Sequence, residues 1–138
     1  MAASIYLANA LLDHVLRGVT YTAPSRVYVS LHTADPAGTG ANEVSLAAWP
    51  DYVRMDPADA AAVASGFDAA ASKATENAKE MAFPAMDGVG PLTITHFAIW
   101  DAATSGNCLI EDDLTVEKIL YNTDELLIRV GELDVSIT

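Results

Sequence analysis

Cysteine is almost missing from this sequence of 138 residues, where Cys108 stands alone. That excludes an internal disulfide framework and any zinc site built on cysteines. Its place inside a hydrophobic run suits a small buried thiol better than a reactive nucleophile. Basic residues are scarce too: seven Lys and Arg face nineteen Asp and Glu, a net charge of −12. Such a balance repels phosphate backbones and anionic lipid, so neither a nucleic-acid groove nor a membrane partner is expected. No run of ~18 apolar residues occurs that could span a bilayer. The opening MAASIYLANALLDHVLRG lacks a basic leader, and Asn9, Asp13 and His14 interrupt it, so it is not expected to be a signal peptide.

The signatures of catalysis are missing as well. His14, His32 and His96 have no neighbours at metal-ligand spacing. For each, a packed or solvated imidazole is the simpler reading, because a catalytic base needs a nucleophile and an orienting carboxylate in reach. Gly38-Thr39-Gly40 and Gly88-Val89-Gly90 are too short and wrongly placed to cradle phosphate. Glu111-Asp112-Asp113 has the oxygen ligands that calcium takes, but a solvated turn between strands explains it with less. A glycan hydrolase would hold two carboxylates across a groove, and no acidic pair is singled out here. The sequence therefore assigns no catalytic residue, no metal and no cofactor.

What is present is alternation. From Pro91, Ile94, His96, Ala98 and Trp100 fall on one face and Thr93, Thr95, Phe97 and Ile99 on the other. Both faces carry bulk, so this strand is expected to be covered on both sides. A turn from Asp101 to Asn107 leads to a return strand at Cys108–Ile110. Further runs align Leu114, Val116 and Leu120, then Leu126, Ile128 and Val130, then Leu133, Val135 and Ile137, each set on one face of its run. Upstream, Arg26 to His32 reads as a half-buried strand with Val27, Val29 and Leu31 inward. Lys79 to Phe83 is a shorter one, ended by Pro84. Strands about ten residues apart with turns between them predict a mainly β domain, an antiparallel sandwich or jelly-roll-like fold, spanning residues 1–138.

One helix precedes the strands. Residues 4–18 carry Ile5, Ala8, Leu12, Val15 and Leu16 at helical spacing, widened by Leu7 and Leu11. Ser4 is placed to cap it, and Gly18 suits the left-handed residue past its end. So wide an apolar face is expected to lie on the sheet or close one end of the sandwich. A neighbouring subunit is the second choice. Residues 56–78 form an irregular alanine-rich insert, with a short helix expected near 57–65 because Asp56-Pro57 begins like one. Tyr28, Trp49 and Tyr52 stand at loop or outward positions, where aromatic residues often grip another protein. They are the candidate assembly contacts, although each could tuck under its own loop.

Several motifs in one order are familiar. They are Leu11-Leu-Asp-His-Val-Leu-Arg-Gly, Tyr21-Thr-Ala-Pro, Val27-Tyr-Val-Ser-Leu-His-Thr-Ala-Asp-Pro, Glu43-Val-Ser and Tyr52-Val-Arg-Met. Phe83-Pro-Ala, Ile94-Thr-His-Phe-Ala-Ile-Trp-Asp-Ala-Ala-Thr-Ser-Gly-Asn and Gly131-Glu-Leu-Asp-Val-Ser-Ile continue the series. In these the chain resembles small virion structural proteins of tailed bacteriophages, labelled tail-fibre or head-associated proteins. It departs from them between Tyr52 and Phe83, and at Trp49-Pro50. The resemblance implies a component of the virion, assembled in the host cytoplasm, and carries no catalytic residue. Among virion roles a small acidic module suits capsid decoration: a cement protein bridging major capsid subunits from outside, in many copies or as a homo-oligomer. The alternative is a tail or tail-fibre component that attaches to the tail or a host receptor. A β-sandwich glycan hydrolase is the remote third reading.

Overall fold

A computed structural model describes residues 2–137 of the chain. After β1 (Ala2–Ala3) and helix α1 (Ile5–Arg17) come β2 (Tyr28–His32), β3 (Ala74–Glu76), β4 (Met81–Ala82) and β5 (Leu92–Trp100). Then follow β6 (Cys108–Leu120), β7 (Leu127–Ile128) and β8 (Asp134–Ser136). The fold is mainly β, in antiparallel sheets with one N-terminal helix. Its main sheet has the order β1-β6-β5-β2, and two ribbons, β3-β8 and β4-β7, supply a second layer.

The alternation along β2 and β5 sets the two faces of the main sheet. Val29 pairs with Ile99 and Leu31 with Phe97, and these four point into one core. Met81 of β4, Ile128 of β7 and Val135 of β8 meet them from the ribbon side, with Trp49, Tyr52, Phe83 and Met86 filling the space between. Each such side chain contributes about 1.5–3 kcal/mol by leaving water. On the opposite face, Ser30 pairs with Ala98 and Tyr28 with Trp100. The expectation that β5 is covered on both sides is met, since Phe97, Ala98, Ile99 and Trp100 are all buried.

Three local readings need correction. Ile94 belongs to the core of Phe97 and Ile99, not to the face of Ala98 and Trp100. A break in register between Ile94 and His96, where the partner strand jumps from Lys118 to Asp113, shifts the parity of β5. The acidic triplet Glu111-Asp112-Asp113 is not a turn but lies within β6, one continuous strand where two were expected. Ser30 and His32, read as facing water, are fully buried. The loop 33–43 folds back over them, and Gly40 comes so close that a Cβ there would stand 2.3 Å from Trp100.

The helix expected near 57–65 does not form. Asp56 accepts hydrogen bonds from the amides of Ala58 and Ala60, an Asx-type turn that competes with a helix. Asp59 and Ala60 have φ of 50° and 59°, and a three-residue 3-10 turn at Val63–Ser65 follows. Arg26 binds the Asp56 carboxylate and the Ala61 carbonyl, and Lys79 Nζ donates to the Ala58 carbonyl at 2.8 Å.

One cation joins the loops to the sheet. The Arg54 guanidinium donates to both carboxylate oxygens of Glu43, at 2.8 and 2.7 Å, and to the carbonyls of Ala102 and Ser105. It stacks 3.6 Å above the Trp100 ring, and its side chain is only 7% exposed. Tyr52 Oη donates to the same Glu43 and accepts from the Leu31 amide. Arg54→Ala should therefore cost roughly 3–5 kcal/mol, because Glu43 and two carbonyls lose their partner. Arg54→Lys should recover less than half of it, since an ammonium cannot reproduce the fork or the stacking. Urea denaturation of both variants checks this; two losses below about 1 kcal/mol would show that the cluster does not hold the loops.

Candidate functional site

The most reactive-looking grouping is Ser30, His32 and Trp100. Alternation on β2 puts Ser30 and His32 side by side, and Trp100 of β5, paired with Tyr28, reaches Ser30 diagonally on the same face. Ser30 Oγ lies 2.7 Å from His32 Nε2, as in a nucleophile-base pair. His32 Nδ1, however, is 2.7 Å from the Ala41 carbonyl, which can only accept, so Nδ1 carries the proton and Nε2 accepts from Ser30. Trp100 Nε1 then donates to Ser30 Oγ at 2.8 Å. Every polar atom is satisfied and both side chains are at 0% exposure, so no substrate reaches them. The group is a packed polar network beneath the loop 33–43.

Cys108 and Glu111 sit nearby on β6. Cys108 Sγ lies 3.6 Å from Glu111 Oε2, while the Gly38 amide donates to the other oxygen of that carboxylate. Burial first, and the Glu111 charge second, push the thiol up to about 12. It is the inert buried thiol expected. Asp35, His96, Glu111, Asp112 and Asp113 line an open depression of about 310 Å³. Among the described residues, however, no three His, Cys, Asp or Glu side chains are placed to hold a metal ion.

The expected assembly contacts are redistributed by the fold. Trp49 is fully buried and Tyr52 is 6% exposed, and both pack on Phe83 with ring centroids 6.4 Å away. They are core residues out of a partner's reach, because the chain 43–55 turns inward at Trp49-Pro50 to cover the sheet. Only Tyr28 of the three remains partly accessible. Surface available for docking lies elsewhere. A mainly apolar groove of about 430 Å³ runs between Glu43–Leu46, Tyr52–Arg54 and Ala103–Ser105, with Leu46 and Val53 more than half exposed.

The larger exposed face belongs to α1. Ser4 caps the helix by accepting from the Leu7 amide, donates its hydroxyl to the Cys108 carbonyl, and ties its own amide to the Leu109 carbonyl. Gly18, at φ 69°, ends it as expected. These anchors turn Leu7 inward, and Leu7 is the one fully buried residue of the helix. The apolar stripe of Ile5, Leu12, Val15 and Leu16 is not laid on the sheet; it faces solvent, each residue 57–75% exposed. Sequence reasoning saw the stripe, but its first choice of cover, the sheet, is not what the fold provides. It missed Arg54 and Glu43 altogether, although both lie in the quoted motifs.

A search among curated proteins finds none that matches this chain. The family described as "Podophage GP4 fiber I protein gp80" matches residues 2–136. Among the described residues no helix is long and apolar enough to cross a membrane.

Two outcomes follow from the buried groups. Cys108 should stay unmodified by a thiol reagent in native buffer and react promptly in denaturant; native labelling within minutes would contradict its burial. His32 has its pKa lowered from the ordinary value, chiefly by burial, so the fold favours the neutral ring. An unfolded histidine titrates near about 6.5. The stabilising contribution is thus whole above that pH and is lost as pH falls through the lower folded value. Between pH 7.5 and 5, urea midpoints should fall further for the native chain than for His32→Gln; equal falls would show that the ring protonates in place.

Proposed function

Since the chain belongs to this podophage fiber family, and is thereby a structural component of a phage virion, we propose that it serves in the tail-fibre apparatus as a non-enzymatic subunit. The observation that carries this reading is the family match across 2–136, from β1 to the last strand. The family's description as a fiber protein supports the tail-fibre reading over the capsid cement that composition suggested. The geometry supports a role in attachment: His32 is sealed, burial keeps the Cys108 thiol protonated, and accessible apolar surface includes a groove beside Leu46 and Val53 and one helix face. A glycan hydrolase gains nothing from the structure, because Glu43 in the groove is held by the buried Arg54 and Tyr52.

Particles carrying an epitope tag on this protein separate the two virion roles. Gold-labelled antibody should collect at the tail end, and quantitative mass spectrometry should count at most a few tens of copies per particle. Label spread over the whole shell at hundreds of copies, with heads that rupture at lower temperature when the protein is absent, would replace the fibre reading with cement.

A further inference from the structure

The exposed face of α1 has a spacing of its own. Ile5, Ala8, Leu12 and Val15 follow one another at intervals of three, four and three residues, and Val19 continues the series just past the helix end. That is the period of a coiled-coil seam, in which each side chain enters a hole between four residues of a facing helix. Leu16 and Leu11 flank the seam, where a coiled coil usually carries charge. Strands and irregular loops do not present holes at this period, so the face fits a helix.

We infer that the covering helix is α1 of a second copy of this chain. Charge is the first argument. Between Ala2 and Val19 the only Asp, Glu, Lys or Arg residues are Asp13 and Arg17, which pair with each other at 2.9 Å, so this segment is electrically neutral in a chain of −12. Two bodies of this net charge repel overall, and a neutral helix face adds nothing to that repulsion where copies meet. A cationic partner, drawn by the rest of the surface, finds no charge to pair with along this stripe. Area is the second argument. Ile5, Leu12, Val15, Leu16 and Val19, at 47–75% exposure, offer on the order of 600 Å² per copy, near the roughly 800 Å² a side that a stable association buries. Placement is the third: among the elements formed by the described residues α1 touches only β1 and β6, and although Ile5 meets the loop at Gly38, Leu12, Val15 and Leu16 stay 57–75% exposed.

This inference does not depend on where in the particle the protein sits. Light scattering coupled to gel filtration of the full chain at about 100 µM tests it. The mass should be at least twice the 14.5 kDa of one chain, and the double variant Leu12→Glu/Val15→Glu should elute as a monomer. The triple variant Leu12→Ala/Val15→Ala/Leu16→Ala, milder toward helix formation, should weaken association at least tenfold. Protection of Cys108 from thiol reagents reports that each variant is folded. Leu46→Glu/Val53→Glu in the groove should leave the mass unchanged. Association should tighten from 0.05 to 0.5 M salt, as screening removes repulsion between the bodies. The inference fails if the native chain is monomeric at 100 µM, even should another particle protein bind the helix. It fails equally if the glutamate variant assembles as the native chain does, or if salt dissociates the assembly.

Discussion

Where Arg54 goes decides where four other segments go. It is one of only seven basic residues in a chain of −12, and its side chain is only 7% exposed. A buried charge is tolerable only if it is paired and well hydrogen-bonded. Glu43 takes two of the five N–H donors, the hairpin carbonyls of Ala102 and Ser105 take two more, and Trp100 covers the flat face. The 33–43 loop, the 43–55 crossing, the β5-β6 turn and the sheet are thus tied at one point. Packing of apolar side chains alone would leave those loops free to slide, because dispersion is not directional.

The second layer is registered by the same kind of device. Asn77 is fully buried, and its amide donates to the Lys79 and Arg129 carbonyls while its oxygen accepts from the Leu133 amide. Ribbons of two and three residues a strand are too short to define their own register. One asparagine that satisfies three backbone groups from separate segments does it for them. Ser30, His32 and Trp100 do the same for the loop over the far face. Polar groups in these clusters are spent on fixing irregular chain against regular sheet.

This explains what could and could not be read from the residues. The helix with Ser4 and Gly18 at its ends, the strand from Leu92 to Trp100 and the inert Cys108 rest on local periodicity and capping, which a sequence displays directly. The irregular parts rest on contacts between distant positions. Asp56-Pro57 looks like the start of a helix, but its carboxylate is claimed by Arg26 and by two turn amides. The parity of β5 is right after the register break and inverted before it, and nothing in Thr95-His96 announces the break. Trp49 looks like a surface aromatic because proline follows it; it is buried because the whole segment crosses beneath Phe83. The Glu43-Arg54 pair was visible as two residues eleven apart and meaningless until the crossing brought them together.

The helix shows how the anchor of a segment decides what it exposes. Its first turn is fastened to β6 and its stripe is left outward, the most continuous of the exposed apolar runs, although Val116 and Ile119 of β6 are open to solvent as well. Burying that stripe on the chain's own sheet would require rotating the helix about the Ser4 anchor, and Ser4 is itself fully buried and bonded to Cys108 and Leu109. The anchor and the stripe therefore work against each other within one copy. The pairing inferred above, α1 against α1 of a second copy, would remove that conflict, with each helix held at Ser4 and its stripe covered by its counterpart.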